Sequence, residues 1–268
     1  MVSTTPTTPF HLVKPSAWPF VCSAFAFTTL LFVVITMHYD YPGSSSIFLT
    51  SAFLLVWTAA SWWFDISIEG FRGGHHTKKV RLGLRMAMAL FIISEVMFFF
   101  GFFWAFFTSS LVPTFQIGGV WPPVGIEVIS PWSVPLLNTF LLLASGATVT
   151  HAHHAIQQND NVKVLFFLQF TIILAALFTK LQVLEYGEST FTIADSVYGS
   201  AFFLMTGFHG IHVFIGTCFL FVCLFRFEAG HFSRYYHFGF EAAIWYWHFV
   251  DVVWILLFIV VYWWGGVI

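Results

Sequence analysis

The chain has 268 residues, of which 59% are hydrophobic, 21% aromatic and only 8% charged. A soluble domain carries about 25% charged residues, so these side chains cannot clothe a water-facing surface, and a mean hydropathy of +0.85 agrees. A formal net charge of −2 leaves no basic footprint for nucleic acid. The composition is that of an all-α integral membrane protein.

The first residues, MVSTTPTTPF, lack the basic start of a signal peptide and the arginine-rich helix of a transit peptide. The chain is therefore expected either to be made beside its membrane or to have lost a presequence. Crossing a hydrocarbon layer of about 30 Å takes roughly 20 apolar residues in a helix. Seven stretches qualify, near residues 16–37, 47–64, 82–108, 134–156, 163–186, 196–225 and 239–264. Between them lie YDYPGSSS, the polar DISIEGFRGGHHTKKVR, the Pro- and Gly-rich VPTFQIGGVWPPVGIEVISPW, then QQNDN, GESTFTIAD and EAGHFSRYYHFG. The chain divides into a tail with two helices (1–66), a polar linker (67–81) and a five-helix part (82–268). No internal repeat is visible, which argues against an inverted-repeat transporter.

The basic residues orient the chain. Alternating the helices puts Lys14, Arg72, Lys78, Lys79, Arg81, Arg85, Lys163, Arg226 and Arg234 on one side, which is nine of the ten Lys and Arg residues. By the positive-inside rule that side is inner, so the N-terminus is expected inside and the C-terminus outside. Lys180 is the exception; its stem can snorkel to the outer headgroups, near Glu185 or Glu188.

Within FIISEVMFFFGFFWAFF, residues 91–107, stands a single carboxylic acid, Glu95. It follows Arg85 by ten residues, which at 1.5 Å per residue places it about 15 Å deep. An acid at a helix centre costs about 2.5–3.5 kcal/mol to insert, and desolvation favours its neutral form. Glu95 is thus expected to be protonated and packed towards lipid or a neighbouring helix. It is either a proton-handling carboxyl or a hydrogen-bond partner between helices.

The twelve histidines cluster as His75–His76, His151–His153–His154, His209–His212 and His237–His248. Most fall in inner loops or at the end of the fourth helix, where a cation suits the helix C-terminus. His209, His212 and His248 are deep, yet no Cys or carboxylate spacing converges on them, and no metal site is expected. In GFHGIH the glycines Gly207 and Gly210 are read as close helix contacts and the histidines as interhelical hydrogen-bond groups. His248 and Asp251, three apart, can satisfy each other. The three cysteines, Cys22, Cys218 and Cys223, read as buried thiols. Trp62, Trp63, Trp121, Trp132, Trp263 and Trp264 bracket segment ends as an aromatic belt.

Several long stretches carry a resemblance: ISEVMFFFGFFWAFF, GGVWPPVGI, PLLNTFLLLASGATVTHAHHA, FTIADSVYGSAFFLMTGFHGIHV and FGFEAAIWYWHFVDVVWILLFIVVYWWGG. Together, from HLVKPSAWPF to the C-terminus, they resemble cytochrome c oxidase subunit III. The resemblance implies seven transmembrane helices, with helices 1–2 and 3–7 flanking a V-shaped, lipid-filled cleft. It implies a core subunit of the haem-copper oxidase that passes electrons from cytochrome c to dioxygen and pumps protons. Haems and coppers would belong to partner subunits I and II, so this chain would hold no cofactor, metal or catalytic residue of its own. Its expected partners are subunits I and II, accessory subunits and phospholipids, and its role is to stabilise the catalytic subunit, sustain proton uptake and hold lipid. The loop SSLVPTFQIGGVWPPVGIEV resembles mitochondrial members, so the mitochondrial inner membrane is favoured over a bacterial plasma membrane.

Three positions depart from the family pattern. Phe64 and Ile68 stand in arginine places, and His151 stands in a tryptophan place. Lys180 is also unusual where it stands. With those arginines gone, lipid headgroups are expected to rely on Arg226, His76 and Arg85, with Trp63 and Glu69 at the ammonium or glycerol end. Two readings from other classes remain at this point. One is a proton-coupled transporter using Glu95; the other is a histidine-ligated haem protein using His209, His212 or His248.

Overall fold

A computed structural model describes residues 8–39 and 41–266. Seven α-helices are present among them: α1 Trp18–His38, α2 Ser44–Phe71, α3 Lys78–Leu111, α4 Val134–Gln157, α5 Asn161–Glu188, α6 Ser196–Glu228 and α7 Phe238–Leu257. A π-helical turn, Phe258–Trp263, and a 3-10 turn, Trp264–Gly266, extend α7. All seven helical segments are long and apolar enough to cross a membrane. In lipid a helix is the natural solution, because every interior backbone N–H finds its carbonyl within the same segment.

The chain separates into two compact units, Met1–Leu84 and Arg85–Ile268. In the first, α1 and α2 form an antiparallel hairpin. Gly43, at φ 83°, turns the chain into α2, a left-handed conformation that glycine adopts without strain. The Trp18 indole N–H donates to Asp65 Oδ2 at 2.6 Å, tying the start of α1 to the far end of α2. Midway, the Thr29 hydroxyl donates to Ser51 Oγ at 3.2 Å. His11 stacks on His75 at 4.7 Å, and the Thr77 hydroxyl bonds the Pro9 carbonyl.

The second unit is centred on α7. Of its membrane-spanning stretch 61% is buried, against none of α1's. Trp247 and Trp254 are fully buried, and each indole N–H donates to α4 at 2.9 Å, to Ser145 Oγ and Thr139 Oγ1 respectively. Two close approaches depend on glycine. A Cβ on Gly216 of α6 would lie 2.9 Å from the Trp247 ring, and one on Gly146 of α4 would lie 2.5 Å from Asp251 Oδ2.

Several expectations change. α2 continues to Phe71 and α3 starts at Lys78, so much of the polar stretch after residue 64 is helical. Hydropathy tracks the solvent, not the backbone, and a polar helix end protruding from the hydrocarbon stays hydrogen-bonded. Gly207 and Gly210 are not the close-contact glycines: a Cβ on either meets nothing within 4 Å. Trp121, between α3 and α4, is buried within the protein, and its indole donates to the Gly265 carbonyl at 3.0 Å. Of the three cysteines only Cys223 is buried, Cys22 being half-buried and Cys218 exposed. Lys180 is exposed and lines an apolar hollow with Val183 and Phe214. Glu185 is instead buried, accepting from Tyr262 Oη at 2.6 Å and Gln182 Nε2 at 3.2 Å.

A half-buried carboxyl and a buried imidazole as the candidate functional site

Glu95 meets a partner on the neighbouring helix. Its Oε2 lies 2.9 Å from Nε2 of His212 on α6. Both side chains are largely enclosed, 23% and 10% exposed, so the pair is little screened by water. His212 Nδ1 lies 2.6 Å from the Phe208 carbonyl. A carbonyl only accepts, so Nδ1 carries a hydrogen. Nε2 then either accepts from a neutral Glu95 acid or donates to a carboxylate as part of an imidazolium. In both forms one proton lies on the line between the two groups. Phe99 packs edge-on against His212 at 5.1 Å and Tyr246 stacks over it at 6.3 Å, closing the pocket with aromatic rings.

The other deep histidines also serve helix contacts. His209 is fully buried and its Nε2 lies 3.2 Å from the Val250 carbonyl of α7. His248 Nδ1 lies 3.5 Å from Asp251 Oδ2, the satisfaction expected from their spacing, and its Nε2 lies 3.2 Å from Thr150 Oγ1 of α4. The His209–Val250 and His248–Thr150 contacts cross between membrane helices, where such bonds are worth about 0.6 kcal/mol each on average. The three histidines do not converge on a common point. Among the described residues, the one group of three with metal-ligand spacing is His153, His237 and Glu241, a convergence that no spacing in the sequence marks because the residues come from two helices.

Where α3 passes the start of α7, Arg85 is held by Glu241. Nε donates to Oε2 at 3.0 Å, and Nη2 donates to Oε2 at 2.7 Å and Oε1 at 3.0 Å. Arg226 lies half-buried with its guanidinium carbon 4.5 Å from the Phe232 ring centroid, and a Cβ on Gly239 would come within 2.5 Å of its Nη1. In the first unit Trp63 is exposed and Glu69 half-buried on the last turns of α2. The His76 ring packs on Gly70, where a Cβ would lie 2.6 Å from Nδ1.

A polar network at the other end of the second unit has no sequence signature beyond its separate residues. Asn138 of α4 donates to Gln182 of α5 at 3.4 Å, and Gln182 reaches Glu185 and Tyr262. The residues stand on three segments, so only the fold brings them together.

Seven apolar helices with buried polar pairs between them define a multi-pass helical membrane protein. The model of the family "Cytochrome c oxidase subunit III" matches residues 8–266. "Cytochrome c oxidase subunit 3" of Prototheca wickerhamii is 54% identical over 96% of this chain and 98% of its own length. The proteins of that name from Arabidopsis thaliana and Aedes aegypti are 53% and 55% identical, each over 96% of this chain and 97% of theirs. The chain belongs to the cytochrome c oxidase subunit III family, and is thereby a subunit of respiratory complex IV.

Proposed function

We propose that the chain is a non-redox supporting subunit of cytochrome c oxidase in the mitochondrial inner membrane, with its Lys- and Arg-rich loops on the inner side. On this reading the haems and coppers reside in subunits I and II. The chain stabilises the catalytic subunit, sustains proton uptake and holds phospholipid. The observation that carries it is the Glu95–His212 pair. The two groups satisfy each other across α3 and α6, and Glu95 has no second ionic partner among the described residues. A transporter would need a relay of such groups, and a haem protein would need an imidazole nitrogen turned to an open cavity.

Headgroup contacts are available in each unit separately. Arg226, with one face on Phe232, presents its remaining N–H groups at the inner end of α6. Arg85 keeps Nη1 beyond its contacts with Glu241. Trp63, Glu69 and His76 lie at headgroup depth on the first unit.

The test uses the assembled complex. With Glu95→Gln, oxygen uptake stays near the wild-type rate, because the amide still donates to His212 Nε2; a fall to a few per cent would make the carboxyl catalytic. With Arg226→Ala, the initial rate is again normal, but bound anionic lipid drops and the working life under turnover shortens. Unchanged lipid content and inactivation rate would remove Arg226 from the lipid role.

A further inference from the structure

His153 near the end of α4, His237 at the cap of α7 and Glu241 in its first turn each bring one ligand atom within 4.8 Å of the others. His237 is 6% exposed. Its Nδ1 lies 2.9 Å from the Ser233 carbonyl, so Nδ1 carries a hydrogen and the ring orientation is fixed. That is the arrangement by which a metal-ligating histidine is held through its other nitrogen. When the ring is neutral, Nε2 presents a lone pair. This Nε2 is buried with no hydrogen-bond partner, and it lies 3.6 Å from Glu241 Oε1. Two acceptors face each other at a distance too long for a hydrogen bond. Such a pair repels unless a cation lies between. Two ligands on one tetrahedral zinc, with bonds of about 2.0–2.2 Å, lie roughly 3.3–3.5 Å apart, which is close to the separation here.

We infer that His153, His237 and Glu241 form a binding site for a divalent transition-metal ion. Two imidazoles and one carboxylate suit zinc, and disfavour magnesium or calcium, which prefer an all-oxygen shell. Three protein ligands leave a fourth position for water. Arg85 fixes the Glu241 carboxylate from the other side while leaving Oε1 a second lone pair. Its positive charge lowers the affinity and makes the site an exchangeable one. Gln157 Nε2 lies 3.3 Å from His153 Nε2 and gives way when the imidazole turns to the ion.

The intact oxidase, stripped with EDTA, is dialysed against micromolar zinc chloride and its zinc counted by mass spectrometry. The wild type holds one zinc per complex more than His153→Gln. Independently, diffraction from wild-type crystals at the zinc edge shows an anomalous peak bonded to His237 Nε2, an outcome that needs no variant to fold. Equal zinc in the two proteins, or no anomalous peak at His237, overturns the site and leaves a proton alone between His237 and Glu241.

Discussion

Single side chains decide where the helices of the second unit can approach, and glycine is the sharpest case. Gly146 faces the Asp251 carboxylate at a distance no Cβ tolerates, whereas Gly210 faces open space in this chain. Gly146→Ala must push α4 and α7 apart or turn a buried carboxylate from His248. Overpacking of this kind costs about 1–3 kcal/mol, and the melting temperature of the assembled complex drops. Gly210→Ala leaves it unchanged or slightly higher, since alanine favours helix by about 1 kcal/mol. Differential scanning calorimetry of the two variants separates them, and equal melting temperatures would contradict the contact. In the sequence, GFHGIH drew the eye to the wrong glycines. A glycine's role depends on what stands opposite, and the ASGAT of α4 gave no hint that an aspartate three helices later would need its space. Glu95 was legible at this scale because an acid among aromatics is costly wherever it lies. Its partner was not, since three deep histidines were equally placed to meet it.

Helices as units were the most legible features. Seven apolar runs became seven helices, and their ends moved where water begins, as at Phe71 and Lys78. One boundary has a titratable cap. Asp160 Oδ1 accepts from the Lys163 amide at 3.2 Å, and Oδ2 pairs with the Lys163 ammonium at 2.8 Å. These bonds, the lysine side chain first, hold its carboxyl below the usual aspartate value. A lowered folded-state value means that the cap stabilises α5 above the unfolded aspartate pKa of about 3.9 and is lost as pH falls through the lowered value. Amide protection factors in the first turn of α5, which remove the intrinsic pH dependence of exchange, are therefore high near neutrality and fall below about pH 4. Asp160→Asn keeps a capping oxygen and flattens that dependence. Identical pH profiles in the two proteins would dissociate the cap from the charge.

The whole molecule is organised by two gradients, one across the membrane and one along the chain. Across the membrane, nine of ten Lys and Arg residues are expected on one side. That asymmetry predicts that trypsin applied from the inner face cuts after Arg72, in the non-helical residues 72–77. Cleavage there only from the outer face would reverse the orientation. The family too was legible at this scale, because its motifs run through nearly the full chain, matching residues 8–266. The convergence of His153, His237 and Glu241 was not, since it arises only when α4 and the start of α7 end at the same depth.

Along the chain, burial rises from none of the α1 span to 61% of the α7 span. A ribosome delivers the N-terminal helices first. The early spans must therefore persist in lipid with little beyond the α1–α2 hairpin to hold them, and with no centre yet to gather round. The tryptophans that lock α4 in place, Trp247 and Trp254, emerge among the final segments. Until they do, Ser145 and Thr139 wait in the bilayer with their cross-helix partners still untranslated. Biogenesis of the second unit is consequently a late, concerted event, and a nascent chain stalled before residue 238 lacks its keystone.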